Sequence, residues 1–491
     1  MCALRLSVRT TAFHVVKTGS TPVGRTISLE FLEDIVQAAL NSFEDDMLLR
    51  KAQSPAKYIS ATEAASLVKS GMWLDYGTSL CQPNSFDQAL AARITELSNL
   101  KIRHCLTVKP HAVLDADPEG HHVLGLSLHF SGYDRKQHDA RRCQYIPVNL
   151  GEIGDYYRRF IPPVDIVILK TAPMDAEGNF NLGPANLWHR AIVERAKMVI
   201  IEENANNIYV HGEGAVIHSS EVDYIIDGDG SSPTVLPNPP PTDVDRAVAK
   251  LIAHEIEDGA CLQIGIGGMP NAVCTALLES SVKDLGVHTE MMTDGIAALI
   301  NGGRVSNARK ALNKGKSIYS FALGSTELYA LLNRSEDILC YPVDHTNLPS
   351  NIMQNDNVIS INSTTQVDLQ GQAASESDGN RQLTGTGGQL QFVRGAYASK
   401  GGKSFICLPS TYDKKGERRS RIVMNLTSGN IVTTPRSDVM YVVTEHGIVN
   451  LKGKSVPERA LALISIAHPD FREGLERQAY EHHILRKGFT F

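Results

Sequence analysis

The clearest hydrophobic pattern in the chain runs from residue 261 to 295. An apolar run at 261–266 breaks at Gly265, Gly267 and Gly268, helical spacing follows from Pro270 to about Lys283, and a short apolar run returns at 286–290. That order predicts strand, glycine turn, helix and second strand, the unit of a parallel α/β sheet. Both strands then finish on the same sheet edge, where ligands bind, so the turn and Glu290 are expected to face one crevice. A helix over 293–301 is predicted next. Strand-sized apolar runs recur at 164–169, 198–202, 405–408 and 439–444. None approaches the ~18–20 residues that would span a bilayer.

The pattern repeats. Residues 65–77 (ASLVKSGMWLDYG) and 253–265 (AHEIEDGACLQIG) both read as helix, turn and strand, with Gly71 and Gly259 each six residues before Gly77 and Gly265. Residues 165–181 lead an apolar strand into Asp175 and Gly178, and 358–374 do the same into Asp368 and Gly371. The two offsets, 188 and 193 residues, differ by a small insertion. Each half then closes with a further buried-strand signature, at 198–202 and 439–444. The expected fold is therefore α/β, a tandem pair of related open α/β domains with the active site in the cleft between them. The stiff run PNPPP at 237–241 marks the linker. The expected division is an N-terminal extension 1–45, a first domain 46–235, a linker 236–242 and a second domain 243–491.

Composition changes little in this picture. The chain has 491 residues, 42% hydrophobic and 21% charged, with a formal charge of −6. Nothing global points to nucleic acid or an anionic membrane surface. Eight cysteines are scattered without a CxxC pair, which reads as reduced, buried thiols with no disulfide framework or zinc site. The first 29 residues carry Arg5, Arg9, Lys17 and Arg25 with many Ser and Thr and no acid. This is the composition of a mitochondrial transit segment, with a merely frayed terminus as the alternative.

Several motifs compete for the chemistry. A dinucleotide fold fits Gly265, Gly267 and an acid 25 residues on, but Pro270 stands where the third glycine packs helix on strand. The three Gly-Lys-Ser triplets lack the glycine of a Walker A loop, no GxSxG elbow is present, and HEIE at 254–257 lacks the second zinc histidine. The second glycine cluster, TGTGGQ at 384–389, lets a planar group approach the backbone or simply makes a hairpin turn. Lys403, beside an apolar strand in SKGGKS, suits a phosphate contact, whereas KKGERRSR at 414–421 reads mainly as a solvated hairpin tip. Glu290 beside bare backbone N–H groups is placed to attack an activated carbonyl. Its plain alternative is a helix-dipole carboxylate ahead of 293–301, and Glu445 is a second strand-end acid.

At these residues the chain resembles the acetyl-CoA hydrolase/CoA-transferase family, in particular its butyryl-CoA and 4-hydroxybutyrate CoA-transferase branch. The resemblance runs from about Lys57 to the end through TAPMDAEGNFNLG (171–183), QIGIGGMPNAV (263–273), HTEMMTDG (288–295), GTGGQLQFVRGA (385–396) and TEHGIVNLKGKS (444–455). It implies Glu290 as nucleophile, with oxyanion donors near Ile266 and Gly267 and at Gly388. Gln263, Gly265, Gly268, Gly385, Gly387, Gln389 and Lys403 are implied around CoA. The implied reaction is ping-pong transfer of CoA between short-chain carboxylic acids, acetate among them, through glutamyl anhydride and glutamyl-CoA intermediates. Hydrolysis of acetyl-CoA by the same glutamate is the alternative. CoA enters as substrate, with no metal and no permanently bound cofactor. A homodimer in the mitochondrial matrix, or otherwise in the cytoplasm, without nucleic-acid or membrane partners, completes the expectation. Two departures stand out: His446 where relatives carry Tyr, and the unusually basic 414–421.

Overall fold

A computed structural model describes residue 52, residues 54–236 and residues 240–488. The expected transit segment lies outside them, as do residues 237–239 of the linker. Eight strands of the first half form one fully parallel sheet: β1 (Lys57–Tyr58), β2 (Trp73–Asp75), β3 (Leu100–His104), β4 (Val123–Ser127), β5 (Cys143–Tyr145), β6 (Ile166–Thr171), β7 (Met198–Glu203) and β8 (Tyr224–Asp227). Their order is β1-β8-β7-β6-β2-β3-β4-β5. Central strand β6 is buried at every position because both faces are covered. Ile166 and Ile168 face one core, and Val167 and Leu169 the other.

The second half builds β9 (Cys261–Ile264), β10 (Gly286–Val287), β13 (Val358–Ser363), β14 (Lys403–Cys407), β15 (Tyr441–Thr444) and β16 (Gly447–Asn450) into a sheet ordered β10-β9-β13-β14-β15-β16. Two-residue strands β11 (Met291–Met292) and β12 (Phe321–Ala322) pair outside it. Laid side by side, β3-β2-β6-β7-β8-β1 matches β10-β9-β13-β14-β15-β16 in order. Only the outermost pairing differs, parallel in the first half and antiparallel in the second.

The repeat read from the sequence is physical. Gly71 and Gly259 both adopt φ +81° and donate to the carbonyls of Ser98 and Lys283 just before β3 and β10. Asp175 Oδ1 accepts the N–H groups of Glu177 and Asn179, and Asp368 Oδ1 those of Gln370 and Gln372. Gly178 and Gly371 close both turns at positive φ. The two closing runs are not counterparts, however: β7 corresponds to β14, and β15 to β8. Buried parallel strands share one composition, so an apolar run alone does not fix its place in the order.

Helix α1 (Asp243–Ala253) starts the second half under a capping box at Thr242, α2 (Gly268–Glu279) follows β9, and α3 (Asp294–Asn301) follows β11. The predicted helix 270–283 thus begins earlier, at the turn made by Gly267 (φ +122°), and ends at Ser280. The halves share a core in which Met291, Phe321, Leu323 and Val343 pack with Leu150, Ile153 and Trp188 of the first half.

Candidate active site

Glu290 occupies a break in the chain rather than the end of a strand. His288 N–H still bonds to Leu262 O in the main sheet, but Thr289 N–H turns to Ile318 O, and Glu290 O accepts from Ser320 and Phe321. The strand predicted over 286–290 is split because the chain changes partners there. The Glu290 side chain is thereby turned into a cavity of about 280 Å³ at the seam of the halves. The second half lines it with Gln263, Gly265, Ile266, Asn362, Ser363 and the glycine loop 384–389, and the first half with Leu106, His129 and Leu150.

One glutamate oxygen is held tightly. Asn347 Nδ2, at the end of α4 (Val343–Asn347), donates to Glu290 Oε2 at 2.5 Å. Asn347 Oδ1 accepts from Thr346 Oγ1 (2.8 Å), whose hydroxyl also meets Ser320 Oγ (2.6 Å), so the amide is oriented with its N–H₂ toward the glutamate. The backbone N–H of Gly388 is the second donor. A Cβ at Gly388 would lie 2.1 Å from Glu290 Oε2, so only glycine admits this approach. Desolvation in the cleft lifts the Glu290 carboxyl to about 7, against the two hydrogen bonds, which favour the ionised form.

The glycine loop leads into α5 (Gln389–Ala398) and is pinned to the first half. Gly387 (φ +60°) accepts from Leu150 N–H at 3.1 Å, Thr386 N–H donates to Tyr145 Oη at 3.0 Å, and Gly151 N–H donates to Gln391 Oε1 at 2.8 Å. A Cβ at Gly385 would lie 2.9 Å from both Leu128 O and His129 Nδ1. Across the cavity Ile266, an aliphatic side chain 52% exposed, projects from the first glycine turn. Among the described residues the N–H groups of Ile266 and Gly267 have no hydrogen-bond partner. A second cavity, about 150 Å³, meets the first at Ile266 and Ser363. It is lined by Gly267, Gly268, Cys407, Leu408 and Pro409.

Of the expected residues, Glu290, Gln263, Gly265, Ile266, Gly385, Gly387, Gly388 and Gln389 come together at the first cavity, and Gly267 and Gly268 at the second. The two glutamine amides are already engaged: Gln263 with Ser360 and Asn362, Gln389 with Ser375 and Thr434. They hold the walls rather than offer free donors. Lys403 is not at the site. It opens β14 at the opposite sheet edge, where Nζ pairs with Glu255 at 2.9 Å, so the CoA contact expected of it is withdrawn. Glu445 lines neither cavity and accepts from the N–H and hydroxyl of Ser410.

Asn347, His129, Leu106, Leu150, Phe321 and Leu323 were not foreseen. Asn347 lies in VDHTN, which carries no motif, and the others are brought in by topology. Among the described residues no Lys or Arg lines the first cavity, and burial holds His129 down at about 4, uncharged at neutral pH. Leu106, Leu150, Met291, Phe321 and Leu323 give it an apolar wall. Among the described residues no cluster of His, Cys, Asp and Glu is arranged to hold a metal ion, and no helix is long and apolar enough to cross a membrane.

Residues 44–237 match the acetyl-CoA hydrolase/transferase N-terminal domain, and residues 324–479 match the C-terminal domain. The chain belongs to this family. It is 44% identical over 442 residues to the butyryl-CoA:acetate CoA-transferase of Anaerostipes caccae, covering 89% of this chain and 99% of that one. The 4-hydroxybutyrate coenzyme A transferase of Clostridium kluyveri is 38% identical over 420 residues, covering 85% and 96%. Among solved structures, RipA from Yersinia pestis superposes with a TM-score of 0.79 at 37% identity, over 87% of this chain and 98% of that one. The protein is a CoA-transferase-family enzyme of the acyl-CoA type.

Proposed function

We propose that the enzyme exchanges CoA between short-chain monocarboxylic acids, with Glu290 as the covalent nucleophile. The observation that carries this reading is a buried carboxylate with one oxygen clamped by Asn347 Nδ2 and Gly388 N–H, in a cavity that it shares with Ile266 of the first glycine turn. The unclamped oxygen attacks the thioester carbonyl, and the Ile266 and Gly267 N–H groups receive the first oxyanion. Collapse expels CoA thiolate and leaves an acyl-glutamyl anhydride. The thiolate then attacks the glutamyl carbonyl. The new oxyanion forms on the oxygen already facing Asn347 and Gly388, so the clamp that orients the nucleophile also stabilises the second adduct. Expulsion of the acid leaves a glutamyl-CoA thioester, and an incoming carboxylate reverses both steps.

The apolar wall suits an aliphatic acyl chain, and the absence of Lys and Arg from that wall gives a second carboxylate no partner. Acetate is the acid assigned to one side of the exchange, and the named activities of the relatives support this. Transfer is favoured over hydrolysis because the walls around Glu290 are largely apolar and a carboxylate acceptor re-forms the same anhydride. The composition of residues 1–29 supports a mitochondrial location.

The test is mass spectrometry of the protein after incubation with acetyl-CoA, with and without borohydride. A CoA-sized adduct on the Glu290 peptide, discharged by acetate and reduced by borohydride, is expected. Consumption of acetyl-CoA at equal rates with and without added acid, and no adduct, would overturn transfer in favour of hydrolysis.

A further inference from the structure

Among the described residues neither cavity is lined by Lys or Arg, and the chain as a whole is acidic, with a formal charge of −6. A substrate bearing a diphosphate and a 3′-phosphate therefore needs cations beyond the cavity mouths. The second cavity is walled by Leu408 and Pro409 at the end of β14. From there the chain passes through Ser410 into a two-stranded hairpin, Thr411–Lys414 against Glu417–Ser420. Residues 411–421 hold five cations and two carboxylates. The base is fixed beside the cavities: Arg421 Nη1 donates to Thr365 O at 2.9 Å, two residues past Ser363, and its guanidinium lies 4.8 Å from the Tyr412 ring centre. By register, Tyr412 and Arg419 share a face with Lys414 and Glu417. Lys414 reaches Asp378 at 3.4 Å, in a segment whose two ends, Ser375 and Thr384, line the first cavity. Arg418, on the other face, turns away toward Asp470.

We propose that this hairpin binds the phosphate-bearing end of CoA through Lys414, Lys415 and Arg419, while the pantetheine arm lies over Ile266 and along the second cavity to Glu290. The proposal rests on the CoA-transfer reading above. Exposed lysines and a planar guanidinium match phosphate oxygens, and clustered on an acidic protein they also steer the anion to the cleft. On that face Arg419 pairs with Glu417 at 2.9 Å and Lys414 with Asp378, exposed ion pairs that phosphate oxygens can replace.

The experiment compares the wild type with K414Q/K415Q/R419Q, using acetyl-CoA and 3′-dephospho-acetyl-CoA at several salt concentrations. KM for acetyl-CoA is expected to rise roughly tenfold in the variant, with the change confined to KM and the salt dependence of kcat/KM flattened. With the dephospho substrate the gap between the proteins is expected to shrink. Arg419→Glu alone is expected to raise KM in the same direction, which separates charge from any folding defect of the triple variant. A KM and salt dependence unmoved in both variants, while wild type still forms the Glu290–CoA adduct, would overturn the hairpin's role. Failure of wild type to form any adduct would instead overturn the transfer reading and this proposal with it.

Discussion

A carboxylate with its acidity moved to about 7 works against the fold that holds it. Folded Glu290 favours the protonated form, whereas the unfolded chain ionises near the ordinary 4.5. Its contribution is therefore fully present below that ordinary value and is lost as pH rises through about 7. Glu290→Gln keeps the shape and both acceptor contacts without the charge. It is expected to abolish adduct formation and transfer, yet to unfold at a higher temperature than wild type at pH 8, with the difference vanishing near pH 4.5. The shift sets the gain at no more than about 3 kcal/mol, and thermal unfolding at the two pH values measures it. Catalysis runs the other way, since only ionised Glu290 attacks, and the rate is expected to climb through pH 7. Asn347→Ala removes a hydrogen bond that favours the carboxylate, so the acid limb is expected to move to higher pH. The same change deletes a donor to the second oxyanion, and kcat is expected to fall about 100-fold. A pH–rate profile of the variant reads both effects, and a limb left unmoved would overturn the part assigned to Asn347 in setting the acidity of Glu290.

At the level of elements, the nucleophile depends on packing that touches no substrate. The short turn of helix Leu150–Glu152 in the first half abuts both α4 and α5. A Cβ at Gly151 would lie 2.8 Å from Asn347 Cβ and 2.9 Å from the Gln391 amide. Gly151→Ala is expected to push Asn347 off Glu290, lowering kcat tenfold or more while KM for acyl-CoA holds; steady-state kinetics with both substrates varied checks it. The contacts at Gly151 also mark how far the sequence could be read. The strand, glycine turn and helix around 261–279 were legible because glycine, proline and apolar spacing are local signals. The Asp175 and Asp368 turns were legible for the same reason. Asn347 was not, because a polar residue in VDHTN acquires meaning only when α4 is laid against the break at Glu290. Lys403 was misplaced because a basic glycine turn reads the same at either end of a strand, and only the sheet direction puts it beside Glu255.

Taken whole, the molecule divides its labour between unequal copies of one fold. The second copy supplies Glu290, both glycine turns and the Asn347 clamp, while the first closes the cavity with Leu106, His129 and Leu150. Leu106 is held there in a left-handed conformation, φ +50°, uncommon for a bulky residue. Its N–H donates to His129 O at 3.0 Å, and the adjoining Thr107 hydroxyl is tied to His104 and His111 in the buried core. The main chain at Leu106 is thereby fixed in the cavity wall. Leu106→Ala is expected to deepen the cavity by the missing methyls and to raise kcat/KM for hexanoyl-CoA relative to acetyl-CoA roughly tenfold, since each methylene fitted into an apolar pocket is worth about 1–3 kcal/mol. Competition between the two thioesters for one propionate pool, read from the hexanoate and acetate released, measures the ratio directly. An unchanged ratio would mean that the first half only shields the site, with acyl length read by Phe321 and Leu323 of the catalytic half.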